Sequence, residues 1–260
     1  MSLDKIGVIL LAGSPSSPDI DPEGKLASRA MVDISGRTMI QYVVDALRGS
    51  QYVDNIVAIG NVQAGGIDKV LEPAGSMVEN ITKALPEVGG GEHVLVVCAD
   101  IPLLTSEAID DFIENAIKLD AELVYPIIER KVCERAYPGL HRTYAKTGDG
   151  SFTGGNITLV KRDFYITYSD TISAAFKARK KPFELARMIG YGVLLRAILA
   201  QIIPSIMPVK MLEEAISRLV GAKIVSYNTK YAEIGEDVDK KEDVEAVRTI
   251  LANRLAVDKQ

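Results

Sequence analysis

The chain has little from which a histidine- or cysteine-built site could be made. Its 260 residues include two histidines, His93 and His141, too few and too far apart for a histidine-based metal centre. The two cysteines, Cys98 and Cys133, show no metal-ligand spacing, and Cys98 lies in an apolar run where it reads as a small core residue. This usage points to a reduced, cytoplasmic compartment. Positive charge is not in excess either: 30 basic against 35 acidic residues give a net charge of -5. Nucleic-acid-binding domains usually carry the opposite balance, so no nucleic-acid partner is expected. A small anionic substrate needs only a local basic cluster and stays open.

Long hydrophobic runs are also missing. The longest apolar region, Met188 to Ile203, is interrupted by Gly190, Gly192, Arg196 and Gln201 and stops at Pro204. That is short of the roughly 20 residues a spanning helix needs, so no transmembrane segment is expected. It reads as a core helix, with a membrane-surface or partner-binding face as the alternative. At the amino terminus only Lys5 precedes an apolar stretch too short for a signal peptide. No Ser-His-Asp order, internal repeat or low-complexity tract stands out. The first turn, Gly13-Ser14-Pro15-Ser16, lacks the spaced glycines of a dinucleotide fingerprint.

What is present is a strand-and-helix rhythm. Strand-like runs recur at Ile6 to Leu11, Asn55 to Gly60, His93 to Cys98 and Glu122 to Ile128. Between them, Thr38 to Arg48 and Ser106 to Leu119 repeat apolar residues at helical spacing. This alternation predicts an α/β fold with a mostly parallel sheet flanked by helices on both faces. From about residue 165 to 221 the pattern turns helical, Val209 to Val220 most clearly, which predicts a helical insert in a single domain spanning 1–260. A strand over Ala222 to Tyr227 and a closing helix over Asp243 to Leu255 complete it. The proline- and aspartate-bearing segment from Ser14 to Gly24 is the candidate flap.

Four constellations fall where such a sheet would gather them at one edge. The strand Gly7 to Leu11 breaks into Ala12-Gly13-Ser14, where bare backbone N–H groups can approach a phosphate. Lys25 and Arg29 follow and could neutralise a triphosphate, or simply be solvated. The run Val94 to Cys98 ends on Ala99-Asp100, placing a carboxylate at a strand's carboxyl end, where Mg²⁺ typically takes one or two carboxylates plus phosphate oxygens. The alternative is that Asp100 caps the helix that follows. Asp237 and Asp239 would share a face in an extended segment, from which a second metal ligand could come; Asp239 with Glu242 also reads as a capping box. Finally, His141-Arg142 leads to Thr153-Gly154-Gly155-Asn156, either a close approach to a ligand or a hairpin turn. Arg179 and Lys180, in a basic run, could clamp an anionic acceptor or merely end a helix.

Leu11-Ala12-Gly13, Ser28 to Ile40, Ala99-Asp100-Ile101-Pro102-Leu103-Leu104 and Asp237-Val238-Asp239 together resemble the MobA-like NTP transferase family. The resemblance implies a Rossmann-like parallel sheet and transfer of a nucleoside monophosphate from an NTP to a phosphorylated small-molecule acceptor, with release of pyrophosphate. It implies nucleotide contacts at Leu11, Ala12, Gly13 and Ser14 and at Gly75 and Ser76. Asp100 and Asp239 match the family's two ligands for Mg²⁺, with Asp237 kept as a metal residue from its own position, and Lys25, Arg29 and Asp100 form the catalytic set. Arg142, Thr153, Gly155, Asn156, Arg179 and Lys180 fall on the acceptor side. Two departures stand out: Ser14-Pro15-Ser16 replaces the usual glycine-rich loop, and Arg29 stands where a lysine is usual, a change of geometry as well as of residue. The insert suggests a special acceptor pocket, or a surface for a homodimer or other contact. A metal-dependent glycosyltransferase and a non-catalytic nucleotide-binding or regulatory protein are the rival readings.

Overall fold

The computed structural model describes residues 4–89, 91–178 and 181–257. β1 (Ile6–Leu11) is followed by a long loop, a small ribbon of β2 (Asp33–Ile34) and β3 (Arg37–Thr38), and α1 (Met39–Gly49). Then come β4 (Val53–Ile59), β5 (Lys69–Leu71), α2 (Met77–Ala84), β6 (His93–Cys98), α3 (Ser106–Lys118), β7 (Leu123–Glu129) and α4 (Arg130–Ala136). The hairpin of β8 (Ala145–Thr147) and β9 (Gly150–Gly154) leads into β10 (Ile157–Lys161). Five helices, α5 (Phe164–Thr167), α6 (Ser169–Ala178), α7 (Pro182–Ile189), α8 (Tyr191–Leu199) and α9 (Val209–Val220), intervene before β11 (Ile224–Thr229) and α10 (Lys241–Val257).

β1 lies in the middle of the sheet, parallel to β4 on one side and β6 on the other, with β5 parallel beyond β4. β10 runs antiparallel between β6 and β7, and β11 pairs parallel with the other edge of β7. The expected mostly parallel, Rossmann-like sheet is therefore present, with an antiparallel insertion. β9 and β10 both pair antiparallel with β7, Ile128 opposite Thr153 and Val124 opposite Leu159, so Gly155 and Asn156 form a bulge in one long strand rather than a hairpin turn.

Successive residues of the central strands face opposite sides. Val8, Leu10, Leu95 and Val97 pack with Val43 and Leu47 of α1, Ile109 and Phe112 of α3, and Val247 of α10. Ile9, Val94 and Val96 pack on the other face with Val78 and Ile81 of α2 and Phe164 and Tyr165 of α5. Strands buried on both faces have to read as unbroken apolar runs, which is the pattern of β1 and β6.

One expectation is corrected. The apolar stretch Met188 to Ile203 is not a core helix: Gly190, at φ 97°, breaks it into α7 and α8, and no residue of α8 is buried.

Candidate active site

The carboxyl ends of β1, β4 and β6 converge on one edge. Ala12 N–H donates to Ile59 O at 2.9 Å and Ala99 N–H donates to Leu11 O at 3.0 Å, which locks the three strand ends together. Gly60, at φ 147°, turns the chain so closely over Ala12 that an added Cβ would stand 2.3 Å from the Ala12 carbonyl oxygen. A Cβ on Gly13 would lie 3.6 Å from Pro73 Cβ and 4.0 Å from Asn80 Nδ2, so the first loop abuts the approach to α2. Gly75 and Ser76 sit there. Ser76 N–H donates to the Glu79 carboxylate at 2.7 Å and Glu79 N–H donates to the Ser76 hydroxyl at 3.3 Å, a complete capping box at the start of α2. The Ser76 backbone N–H, and after it the Ser76 hydroxyl, hold the Glu79 carboxyl below its ordinary range.

Ser28, buried, organises the loop that carries Arg29. Its hydroxyl donates to Ala12 O at 2.5 Å and accepts from Ala30 N–H at 3.2 Å, while Arg29 N–H donates to Ser14 O at 2.9 Å. Ser14 thus contributes its carbonyl to positioning Arg29. From this fixed backbone the Arg29 guanidinium reaches two carboxylates, Nη2 donating to Asp100 Oδ2 at 2.6 Å and Nη1 to Asp239 Oδ1. Lys25 is placed differently: its ammonium pairs with Glu23, both exposed, on the wall of a cleft of about 480 Å³ that also includes Met31, Gly60 and Asn61. Within the Ser14–Gly24 segment, turns form over residues 18–20 and 22–23. The Asp21 carboxylate accepts from Lys25 and Leu26 N–H, and Asp19 accepts from Lys241 N–H at the start of α10.

Asp100 follows β6 directly, one strand from Ala12. Burial pushes its carboxyl above the ordinary range, and the Arg29 guanidinium pulls it back. Its own carbonyl accepts from Val238 N–H at 2.8 Å, stitching the Asp237–Asp239 segment to the strand end. The bulge holds the same segment from below: Asn156 N–H donates to Ile234 O at 2.8 Å and its carbonyl accepts from Cys98 N–H at 2.9 Å. A Cβ on Gly155 would meet Ile234 Cγ2 at 2.6 Å and Pro126 Cγ at 2.7 Å, so glycine is required for this close approach.

Asp237 and Asp239 do not act as a face-sharing pair. Asp239 turns to Arg29, whereas Asp237 pairs with Arg142 Nη1 at 3.2 Å and Arg142 Nε donates to Glu236 Oε2 at 2.8 Å. Arg142 also donates through Nη2 to the Asp237 carbonyl, so its whole fork is committed to this segment. Burial, with Asp239 and Asp100 nearby, raises the Asp237 carboxyl to about 6 against the pull of Arg142. The capping box read at Asp239 and Glu242 is replaced by Asp243, whose carboxylate accepts from Asp239 and Lys240 N–H. The Asp239 side chain is thereby free of the helix and available to the site.

Four carboxylates, Asp100, Glu236, Asp237 and Asp239, thus gather around two guanidiniums, and the balance is negative. Asp100 Oδ1 and Arg29 Nε are buried with no hydrogen-bond partner among the described residues. An unpartnered carboxylate oxygen in a negative cluster fits a hard cation that takes one or two carboxylates and completes its shell with phosphate oxygens and water. No group of three or more ligating side chains closes a protein-only metal site among the described residues. Arg179 and Lys180 lie outside the described residues.

The model of the MobA-like NTP transferase domain matches residues 7–223. The chain belongs to the MobA-like NTP transferase family. A hypothetical transferase from Thermus thermophilus is 31% identical with a TM-score of 0.82, covering 92% of this chain and 99% of that one. A CMP:2-keto-3-deoxy-manno-octonic acid synthetase complexed with CTP shares the fold at 15% identity and TM-score 0.61, covering 96% and 100%. So does a 2-C-methyl-D-erythritol 4-phosphate cytidylyltransferase, also from Thermus thermophilus, at 11% identity and TM-score 0.54, covering 95% and 99%. No curated protein matches. In this MobA-like chain, sequence reasoning missed Ser28, Asn80, Glu236 and Asp243. Ser28 before Arg29 carried a readable capping signal, whereas the other three matter through contacts that only folding creates.

Proposed function

We propose that this protein is a Mg²⁺-dependent nucleotidyltransferase that joins a nucleoside monophosphate from an NTP to a phosphorylated small-molecule acceptor. An acceptor phosphate oxygen forms a bond to the α-phosphorus while the bond from that phosphorus to the β-bridging oxygen breaks, and pyrophosphate leaves with the electron pair. The observation that carries this reading is the meeting of Asp100 and Asp239 around one guanidinium, at the strand end beside Ala12.

Asp100 and Asp239 would hold the cation, with Asp237 beside them; when bound it supplies charge neutralisation at the phosphate oxygens. The backbone from Leu11 to Ser14 and the segment at Gly75 and Ser76 are assigned to the nucleotide. Arg29 keeps the two carboxylates in register, and its planar fork matches phosphate as well as carboxylate. With Lys25 it is assigned to the triphosphate and to the charge that develops on pyrophosphate. Arg142 is a positioning residue that holds Asp237, while Thr153 and the bulge at Gly155 and Asn156 border the acceptor side.

No protein nucleophile is needed. Burial, with Asp100 and Asp237 nearby, pushes the Cys98 thiol up to about 12, so it stays protonated at neutral pH. Catalysis then rests on positioning and charge neutralisation.

One observation favours the non-catalytic reading: Arg29 stands between the two carboxylates assigned to the metal. Pyrophosphate release separates the two. The four NTPs with Mg²⁺ are screened by thermal shift, since a ligand that binds the native state raises its stability. Pyrophosphate release is then measured over phosphorylated sugars, alcohols and pterins. Turnover with at least one pair, absent in Asp100→Asn, supports the transferase; nucleotide binding with no release from any acceptor supports the non-catalytic reading.

A further inference from the structure

The helices between β10 and β11 combine two features that the nucleotide chemistry does not use. The first is charge. Leaving aside Arg179 and Lys180, the stretch from Lys177 to Met207 has four basic residues, Lys177, Lys181, Arg187 and Arg196, and one acidic residue, Glu184, a local charge of +3 in a chain whose net charge is -5. The second is an apolar stripe. Tyr191, Leu195 and Ile198 stand one above another on α8 at i, i+4 and i+7 and are 63%, 58% and 57% exposed. Ile202, 82% exposed, continues the stripe past the end of the helix, and Phe183 at the start of α7 is exposed to the same extent. A monomeric soluble surface rarely carries such a contiguous apolar patch without a partner.

The patch is anchored to the body of the protein. Lys146 Nζ donates to Gln201 O at 3.1 Å, Gly148 N–H to Met207 O at 3.0 Å and Val209 N–H to Asp149 Oδ2 at 2.7 Å. Whatever covers the stripe is thereby connected to the β8–β9 hairpin, which leads into Thr153 on the acceptor side.

We propose that this surface docks on an anionic lipid bilayer, the stripe of α8 entering the headgroup boundary and the basic residues meeting anionic headgroups. A second copy of the chain is disfavoured by charge. In a two-fold contact the same patch meets itself, so +3 would face +3. An anionic membrane offers the complementary charge, and a short helix with an apolar face and flanking basic residues lies in the interface plane rather than spanning it. No helix among the described residues is long and apolar enough to cross a membrane.

Co-sedimentation of the full chain with phosphatidylcholine vesicles, with and without phosphatidylglycerol, tests this independently of any enzymatic activity. The protein is expected to sediment with the phosphatidylglycerol vesicles and stay in the supernatant with phosphatidylcholine alone, and added salt should release it. Lys181→Gln with Arg187→Gln should weaken binding by roughly 25-fold, about 5-fold for each charge removed near the surface. Leu195→Asp with Ile198→Asp should abolish sedimentation while circular dichroism and Tm stay at wild-type values, both positions being exposed. Recovery in the supernatant with both vesicle types overturns the proposal, as does wild-type binding by either double variant. A wild-type dimer in analytical ultracentrifugation that becomes monomeric in the Leu195→Asp, Ile198→Asp variant, with no vesicle binding, would assign the stripe to a second copy instead.

Discussion

Arg29 and Asp100, 71 residues apart in the chain, meet at 2.6 Å at the carboxyl edge of the sheet, both side chains largely withdrawn from solvent. Each is positioned by backbone bonds that do not involve the other. Ser28 and Ser14 hold the arginine loop, and the Leu11 and Val238 contacts hold the strand end. The pair is therefore a consequence of the fold and available to be re-used by a ligand.

Removing the arginine should expose the cost of that arrangement. Arg29→Ala leaves Asp100 buried without its cationic partner, and loss of one member of a buried pair costs on the order of 3 kcal/mol. The penalty should be full at pH 7 and shrink in acid, because burial already raises the Asp100 carboxyl and, once protonated, it carries no charge to compensate. Urea unfolding at neutral and acidic pH checks this; an equal loss at both would show that the pair is not electrostatic in origin.

Asp100→Asn is expected to keep the fold and lose metal-dependent turnover. The amide preserves the shape and can still accept from Arg29 but lacks the charge that would hold Mg²⁺. Wild-type-like pyrophosphate release from this variant removes Asp100 from the metal site.

The two nearby aspartates should behave unequally. Asp239→Asn is expected to abolish turnover and Asp237→Asn to retain much of it, because Asp237 is committed to Arg142 and Asp239 is not. Stability should follow the opposite logic from a capping role at Asp239. Asp243→Ala, which removes the acceptor for two N–H groups at the start of α10, should cost about 1 kcal/mol, and Asp239→Ala less. Chemical denaturation of the two alanine variants decides it.

Asp237 also sets a pH dependence. Its carboxyl sits at about 6 when folded, against an ordinary value of 3.8, so between those values the folded chain holds a proton that the unfolded chain has lost. Stability from this group is greatest below pH 4, falls as pH rises, and is fully lost above pH 6. The Asp237→Asn variant should lack this slope, so the gap between its urea midpoint and that of the wild type should shift in the variant's favour between pH 4 and pH 7. Parallel profiles would place the titration elsewhere.

Nucleotide binding probes the basic pair. Lys25→Ala should weaken NTP binding and leave the Arg29 contacts in place, because Lys25 stands on the cleft wall beside Gly60 and its ammonium pairs with exposed Glu23 rather than with the site carboxylates. Loss of one charge-assisted contact corresponds to about 1.5 kcal/mol or more, at least tenfold in Kd. Calorimetry giving wild-type affinity for every NTP would take Lys25 off the phosphates.

Local sequence determined the parts of this protein that depend on local rules. The apolar runs of β1 and β6 had to be strands buried on both faces, and a run that ends on Asp100 had to put a carboxylate at the ligand edge of the sheet. Helical spacing placed Val209–Val220 as observed, because its apolar residues recur on one face that the body of the protein can cover. Tertiary structure decided the rest. Asp237 and Asp239 are two residues apart, yet each finds a different arginine, since Arg142 and Arg29 are delivered by distant segments stitched to the bulge and to the strand end. The same holds for the stretch from Met188 to Ile203: an apolar helix in a core and one on a surface have similar compositions. Only the packing of α9 against β11, with α7 and α8 outside it, left the stripe of α8 in solvent.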